Sequence, residues 1–173
     1  MGVTIVQPKI NINRLKANLL EVGKINSGKN GYTRLSFSQE EKEALDWLVK
    51  KLEKLPVTVS RDSIGNVYGK WGKQEKPSIA FGSHIDTVME GGLFDGALGV
   101  IVGLECIQTL YDFNYEPQIP LELICFVSEE IGALGSKAVS GLIEHSSKQD
   151  KVFEENGFTW NDILLAKRDS QDF

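Results

Sequence analysis

Three short stretches of this sequence concentrate side chains that can bind metal or move protons. They are Ser83-His84-Ile85-Asp86-Thr87, Gly91-Gly92-Leu93-Phe94-Asp95-Gly96-Ala97-Leu98-Gly99 and Ser128-Glu129-Glu130. In extended backbone the side-chain period is two, so His84 and Asp86 fall on the same side of the chain. A metal-bound imidazole usually has its second ring nitrogen held by a carboxylate or a carbonyl, a task open to Asp86. The same pair also reads as a structural histidine beside a turn-forming aspartate. Asp95 stands among glycines that allow tight backbone approach. It precedes an expected helix, so it could cap that helix or bridge two metal ions, a charge the helix amino terminus would favour. Adjacent carboxylates at a buried strand end, such as Glu129 and Glu130, are costly unless paired or bound to cations. A charged pair on an exposed turn would also explain them. Pointing opposite ways, one could hold a metal while the other takes a proton from an attacking water and passes it to a leaving nitrogen. One imidazole and several carboxylates without a thiolate suit zinc, manganese or cobalt.

These clusters need a scaffold that brings them together, and in open α/β sheets sites gather beyond the carboxyl ends of the strands. All three clusters fall at such places. Residues 13–26 read as a helix with Leu15, Leu19 and Val22 on one face, capped by Asn11 or Asn13. Residues 27–34, with Gly28 and Gly31, read as a loop. Ser38-Gln39-Glu40-Glu41 fits a capping box, in which the Ser38 hydroxyl and the Glu41 carboxylate satisfy each other's backbone amides. The helix that follows carries Leu45, Leu48, Leu52 and Leu55, and Pro56 stops it. Val57 and Val59 alternate with Thr58 and Ser60 as on a half-buried strand, 62–65 is a turn, and 66–71 is the partner strand. Residues 78–82 form a short apolar strand, expected to be buried, that leads into His84. Residues 96–113 read as a mostly buried helix behind Asp95. Residues 121–127 are an interior strand that delivers Glu129 and Glu130. Short helices are expected near 135–143 and 160–167. This alternation predicts an α/β domain with a mixed, largely parallel sheet flanked by helices.

Composition narrows the function classes. The chain has 173 residues, 41% hydrophobic and 25% charged, as in an ordinary globular domain. A net charge of -5 argues against nucleic acid; Lys50, Lys51 and Lys54 lie beside Glu53 and read as a solvated face. Cys106 and Cys125 fall in apolar surroundings and read as small buried hydrophobes. No apolar run approaches the ~18 residues of a membrane span. Residues 1–9 lack a basic start followed by an apolar block, so no signal peptide is expected and the cytoplasm is the default compartment. No zinc-ribbon, Walker or Gly-x-Ser-x-Gly pattern occurs. His145, the other histidine, sits in a polar stretch and reads as surface.

Taken together, Gly82-Ser83-His84-Ile85-Asp86-Thr87-Val88, the Gly91–Gly99 cluster with Val100, and Glu129-Glu130 resemble the M20 metallopeptidase superfamily. Within it they resemble most the branch of N-carbamoyl-L-amino-acid hydrolases, allantoate amidohydrolases and β-ureidopropionase-like enzymes. Gly31-Tyr32-Thr33-Arg34-Leu35-Ser36-Phe37-Ser38 and Asp62-Ser63-Ile64-Gly65-Asn66-Val67 support that branch. The likeness covers most of residues 10–145. It implies that His84 ligates one metal, Asp95 bridges two, Glu130 ligates the second, Glu129 is the general base and Asp86 supports His84. It further implies two divalent ions (zinc, manganese or cobalt) and hydrolysis of a linear C–N bond in a small carbamoyl or ureido substrate, with a homo-oligomeric assembly and no nucleic-acid or membrane partner.

The sequence departs from that pattern in length. Family members carry an inserted lid and dimerisation domain, two further ligand histidines and the substrate-holding groups in segments absent here. The stretch after Glu130, Ile131-Gly132-Ala133-Leu134, also looks shortened. The expectation is therefore the amino-terminal portion of a zinc-peptidase-like catalytic domain without its lid, inactive or impaired alone. The alternatives are an oligomerising or binding fragment, and a dipeptidase or deacylase of the same superfamily.

Overall fold

A computed structural model describes residues 7–144 and 146–169. The expectation for His145 and most of the stretch read for a leader lie outside them. Helix α1 (Ile12–Gly23) is capped by the Asn11 side chain, which accepts from the Arg14 amide at 3.1 Å. It turns Leu19 and Val22 into the core and packs on α3 (Ala97–Asp112). Buried Glu105 of α3 accepts Arg14 Nε at 2.7 Å and the Asn11 amide at 2.9 Å, joining the two helices through a compensated charge. Helix α2 (Gln39–Leu52) starts on the Ser38 hydroxyl, and Leu45, Leu48, Leu52 and the following Leu55 are buried as the spacing predicts.

Strands β1 (Thr58–Arg61) and β2 (Val67–Trp71) form an antiparallel hairpin. The Asp62 carboxylate closes its turn by accepting from the Ile64 and Asn66 amides. Strand β3 (Ile79–His84), the crossover helix α3 and strand β4 (Leu121–Phe126) make a parallel unit. The sheet order is β1-β2-β4-β3, and β2 pairs antiparallel with β4. The domain is thus α/β with a mixed four-stranded sheet flanked by helices. Two of the three pairings are antiparallel; the five residues between β1 and β2 are too few for a crossover, so there the chain must return antiparallel.

Strand β3 differs from the expectation of burial. It runs along the sheet edge with β4 as its neighbour, and Ile79 is 53% exposed. Cys125 is buried in β4 and Cys106 half-buried in α3, both as free thiols. Helices α4 (Leu134–Ser140) and α6 (Trp160–Leu165) lie near the expected places. Helix α5 (Ser147–Glu155) has no counterpart in the sequence reading. Its apolar residues, Val152 and Phe153, are adjacent and give no helical period. Among the described residues no helix is long and apolar enough to cross a membrane.

Candidate functional site

Because β3 and β4 are parallel neighbours, their carboxyl ends open on the same edge of the sheet, with His84 in register with Phe126. The chain leaving β3 carries Asp86, and the chain leaving β4 carries Glu129 and Glu130. The imidazole of His84 is held between them. Its Nδ1 lies 3.3 Å from Asp86 Oδ1 and 3.1 Å from the Asp86 carbonyl oxygen, and its Nε2 lies 3.5 Å from Glu129 Oε2. Asp86 is fully buried and saturated. It accepts the Ser36 hydroxyl at 2.6 Å and the amides of Glu129 and Glu130 at 3.2 and 3.1 Å. One carboxylate therefore fixes both the ring and the turn that bears the paired glutamates.

The charges follow from this arrangement. Burial alone would raise Asp86, but the bonds from His84, Ser36 and the two amides hold it below the usual carboxylate range. Burial would lower His84, yet the facing Asp86 and Glu129 outweigh it and raise the imidazole. Burial and then the charge of Asp95 raise Glu130 above the usual carboxylate range. Asp95 does not cap α3. The cap position is Gly96, with no side-chain cap bond, so the exposed Asp95 carboxylate is left to other partners. Gly96 has φ +59°, and a Cβ there would come within 2.3 Å of the His84 ring. The backbone thus forms a close seat for the imidazole that only glycine permits.

Three groups behind the site were not singled out as functional by sequence. Arg34, buried in the domain, donates Nε to the Ile85 carbonyl at 2.6 Å and Nη1 to Ile25 and Val22 carbonyls at 2.7 and 3.1 Å. It therefore grips the residue between His84 and Asp86. Ser36 reaches Asp86 directly. Glu41 is also buried. Its carboxyl accepts from the Phe37 amide and, at 3.2 Å, from the Ser128 amide. The Ser38 half of the expected capping box is present, but the Ser38 amide goes to the Leu35 carbonyl. A charged residue on the core face of α2 was the available signal for Glu41, and the local capping pattern hid it.

Burial, then the charge of Asp86, push the Glu41 carboxyl up to about 7. A raised folded value means that the native state keeps a proton between the ordinary value of 4.5 and about 7. This group's contribution is then fully present below 4.5, is lost as pH rises to about 7, and is flat above. The loss amounts to about 3 kcal/mol. His84 titrates with the same sign, so the comparison with Glu41→Gln isolates the carboxyl. Urea denaturation at pH 5 and pH 8 should show wild type losing about 2.5 kcal/mol more than Glu41→Gln over that interval. Equal losses would show that Glu41 ionises as an ordinary carboxylate.

The residues present suit a divalent cation. Nδ1 of His84 is occupied by Asp86 while Nε2 faces Glu129, the arrangement that prepares an imidazole ligand. Asp95 and Glu130 supply hard oxygen donors. Among the described residues no group of three or more His, Cys, Asp or Glu side chains is close enough to hold a metal ion by itself.

Known proteins resemble this chain over most of its length. The model for peptidase family M28 matches residues 66–158, which include His84, Asp86, Asp95, Glu129 and Glu130. A Haemophilus influenzae protein named as an uncharacterized hydrolase is 38% identical over 95% of this chain and 44% of its own. The N-carbamoyl-L-amino-acid amidohydrolase of Paenarthrobacter aurescens is 31% identical over 91% of this chain and 40% of its own. A crystal structure of a hydantoinase/carbamoylase family amidase from Burkholderia ambifaria superimposes with a TM-score of 0.77 at 29% identity, over 91% of this chain and 40% of that one. The chain spans less than half the length of these proteins. The hydantoinase/carbamoylase fold is an M20-type branch, the branch that the motifs resemble.

Proposed function

Because the chain belongs to peptidase family M28 and is similar to N-carbamoyl-L-amino-acid amidohydrolases, we propose that it is the amino-terminal part of the catalytic domain of a metal-dependent amidohydrolase. The substrate is a small carbamoyl or ureido compound, such as an N-carbamoyl amino acid or allantoate, and the bond cleaved is a linear C–N bond. The observation that carries this reading is the His84 imidazole, pinned through Nδ1 by buried Asp86 with Nε2 facing Glu129.

In this reading His84 Nε2, Asp95 and Glu130 hold two divalent ions together with ligands supplied from outside these residues. When bound, the ions polarise the substrate carbonyl and acidify water. Glu129 takes the proton from the attacking water and returns it to the leaving nitrogen. Asp86 keeps the imidazole in the tautomer that leaves Nε2 free for the cation. A homo-oligomeric state and a cytoplasmic setting belong to the same proposal.

Titration calorimetry on the 173-residue chain with Zn2+, Mn2+ and Co2+ tests it. Binding is expected for at least one ion. Both His84→Ala and Gly96→Ala should weaken that binding by roughly tenfold or more, the second by pushing the ring out of its seat. Ammonia release from N-carbamoyl amino acids or allantoate should be slight or absent, since only part of the ligand set is present. A chain that binds none of the three ions would sink the proposal. Full turnover without added metal would sink it as well.

A further inference from the structure

The buried Glu41 carboxyl has no part in the chemistry proposed above, yet it joins two places of backbone strain. Phe37 has φ +61° and Ser128 has φ +54°, left-handed values that a side-chain-bearing residue keeps only when its surroundings insist. Both residues donate their amides to Glu41. Phe37 follows Ser36, which holds Asp86. Ser128 precedes Glu129 and Glu130, whose amides also end on Asp86. The Ser128 hydroxyl is buried and has no hydrogen-bond partner, so its own side chain does nothing to keep the residue left-handed. Helix α2 takes its start from Ser38, and the Ser38 amide is satisfied by Leu35, so the helix cap does not need the Glu41 carboxyl.

We infer that Glu41 is a positioning residue for the paired glutamates: by bridging the Phe37 and Ser128 amides it holds Ser128 left-handed and so sets the direction in which Glu129 and Glu130 leave β4. Two donors converge on two oxygens of one group. Glutamine has a single acceptor oxygen and would present an NH2 to one of the amides. The inference deepens the proposed metal-dependent function, because the turn it sets carries the proposed base and a proposed ligand. It also makes a claim about the backbone that holds whether or not a metal binds.

The test combines amide hydrogen exchange by NMR with Zn2+ titration of the full 173-residue chain. In Glu41→Gln the amides of Phe37, Ser128, Glu129 and Glu130 should exchange about tenfold faster or more, while Val67 and Leu123 in the central strands change less than about twofold. Zn2+ affinity should fall by about tenfold. Adding Ser128→Gly should recover much of both losses, because glycine is left-handed without strain. A capping or bulk-stability role would not be rescued by a glycine 87 positions away. Faster exchange spread uniformly over the strands, or no rescue by Ser128→Gly, would overturn the inference. Should wild type bind none of Zn2+, Mn2+ and Co2+, the proposed function fails, and the exchange pattern and its rescue still decide the role of Glu41. If Glu41→Gln does not fold, Glu41→Asp serves: its shorter reach cannot span both amides, and it should show the same local pattern.

Discussion

Replacing Asp86 with alanine is expected to cost about 3–5 kcal/mol of folding stability and to weaken divalent-metal binding by about 10–100-fold. The stability loss follows from what the carboxylate serves. It is fully buried and accepts from Ser36, Glu129 and Glu130 while facing the His84 ring. Alanine would leave two amides and a hydroxyl, all half-buried, without this acceptor, and an orphaned buried group costs about 1–3 kcal/mol before relaxation. The metal effect follows from the ring, which without Asp86 is free to rotate and to change tautomer. Asp86→Asn separates the two effects. It keeps the volume and one acceptor oxygen, so it should retain more of the stability and still lose about tenfold in Zn2+ affinity, since the charge on Nδ1 is gone. Urea denaturation and calorimetry on the two variants measure these quantities. Wild-type Zn2+ affinity in Asp86→Ala would remove Asp86 from the site.

Arg34→Met is the second large change, with an expected loss of about 3–5 kcal/mol and a fall in melting temperature on the order of 10 °C. The guanidinium is 1% exposed and lies among carbonyls rather than in a direct ion pair. Burial lowers it, and the charge of Asp86 works in the opposite direction. Methionine fills similar space but leaves the Ile25 and Ile85 carbonyls without this donor. It also removes the buried positive charge that faces Asp86 and Glu41. Arg34→Lys should recover only part of the loss, because one ammonium cannot reproduce a planar fork spanning Ile85 on one side and Ile25 on the other. Thermal melts of the three proteins measure this. A lysine variant as stable as wild type would show that charge alone matters at this position.

Much of this molecule was legible in the sequence. Asn11, the leucines of α2 and the turn at Asp62 each announce an element through a pattern a few residues long. Capping and periodicity are local effects, which is why they can be read without a structure. The spacing of His84 and Asp86 also predicted their contact, because both sit on one short extended segment. The weaker readings failed where the competing energy is not local. A helical period could not show α5, whose two apolar residues are adjacent. Strand alternation could not tell an edge from an interior for β3, since that depends on which strands pair.

His84, Asp86, Asp95, Glu129 and Glu130 mark the same division. Sequence alone determined which groups could do chemistry: one imidazole and a set of carboxylates at strand ends, without thiolate. Tertiary structure decided how they stand to one another. The parallel pairing of β3 with β4 carried Asp86 to the amides of Glu129 and Glu130, 43 and 44 residues further along. At the start of α3 the folded backbone puts Gly96 rather than Asp95 at the cap. Packing of α2 against the end of β4 takes Glu41 from its expected capping box to the Ser128 amide, 87 residues away. A buried acceptor takes whichever donors the fold leaves unsatisfied beside it, and that choice is fixed only when distant segments pack.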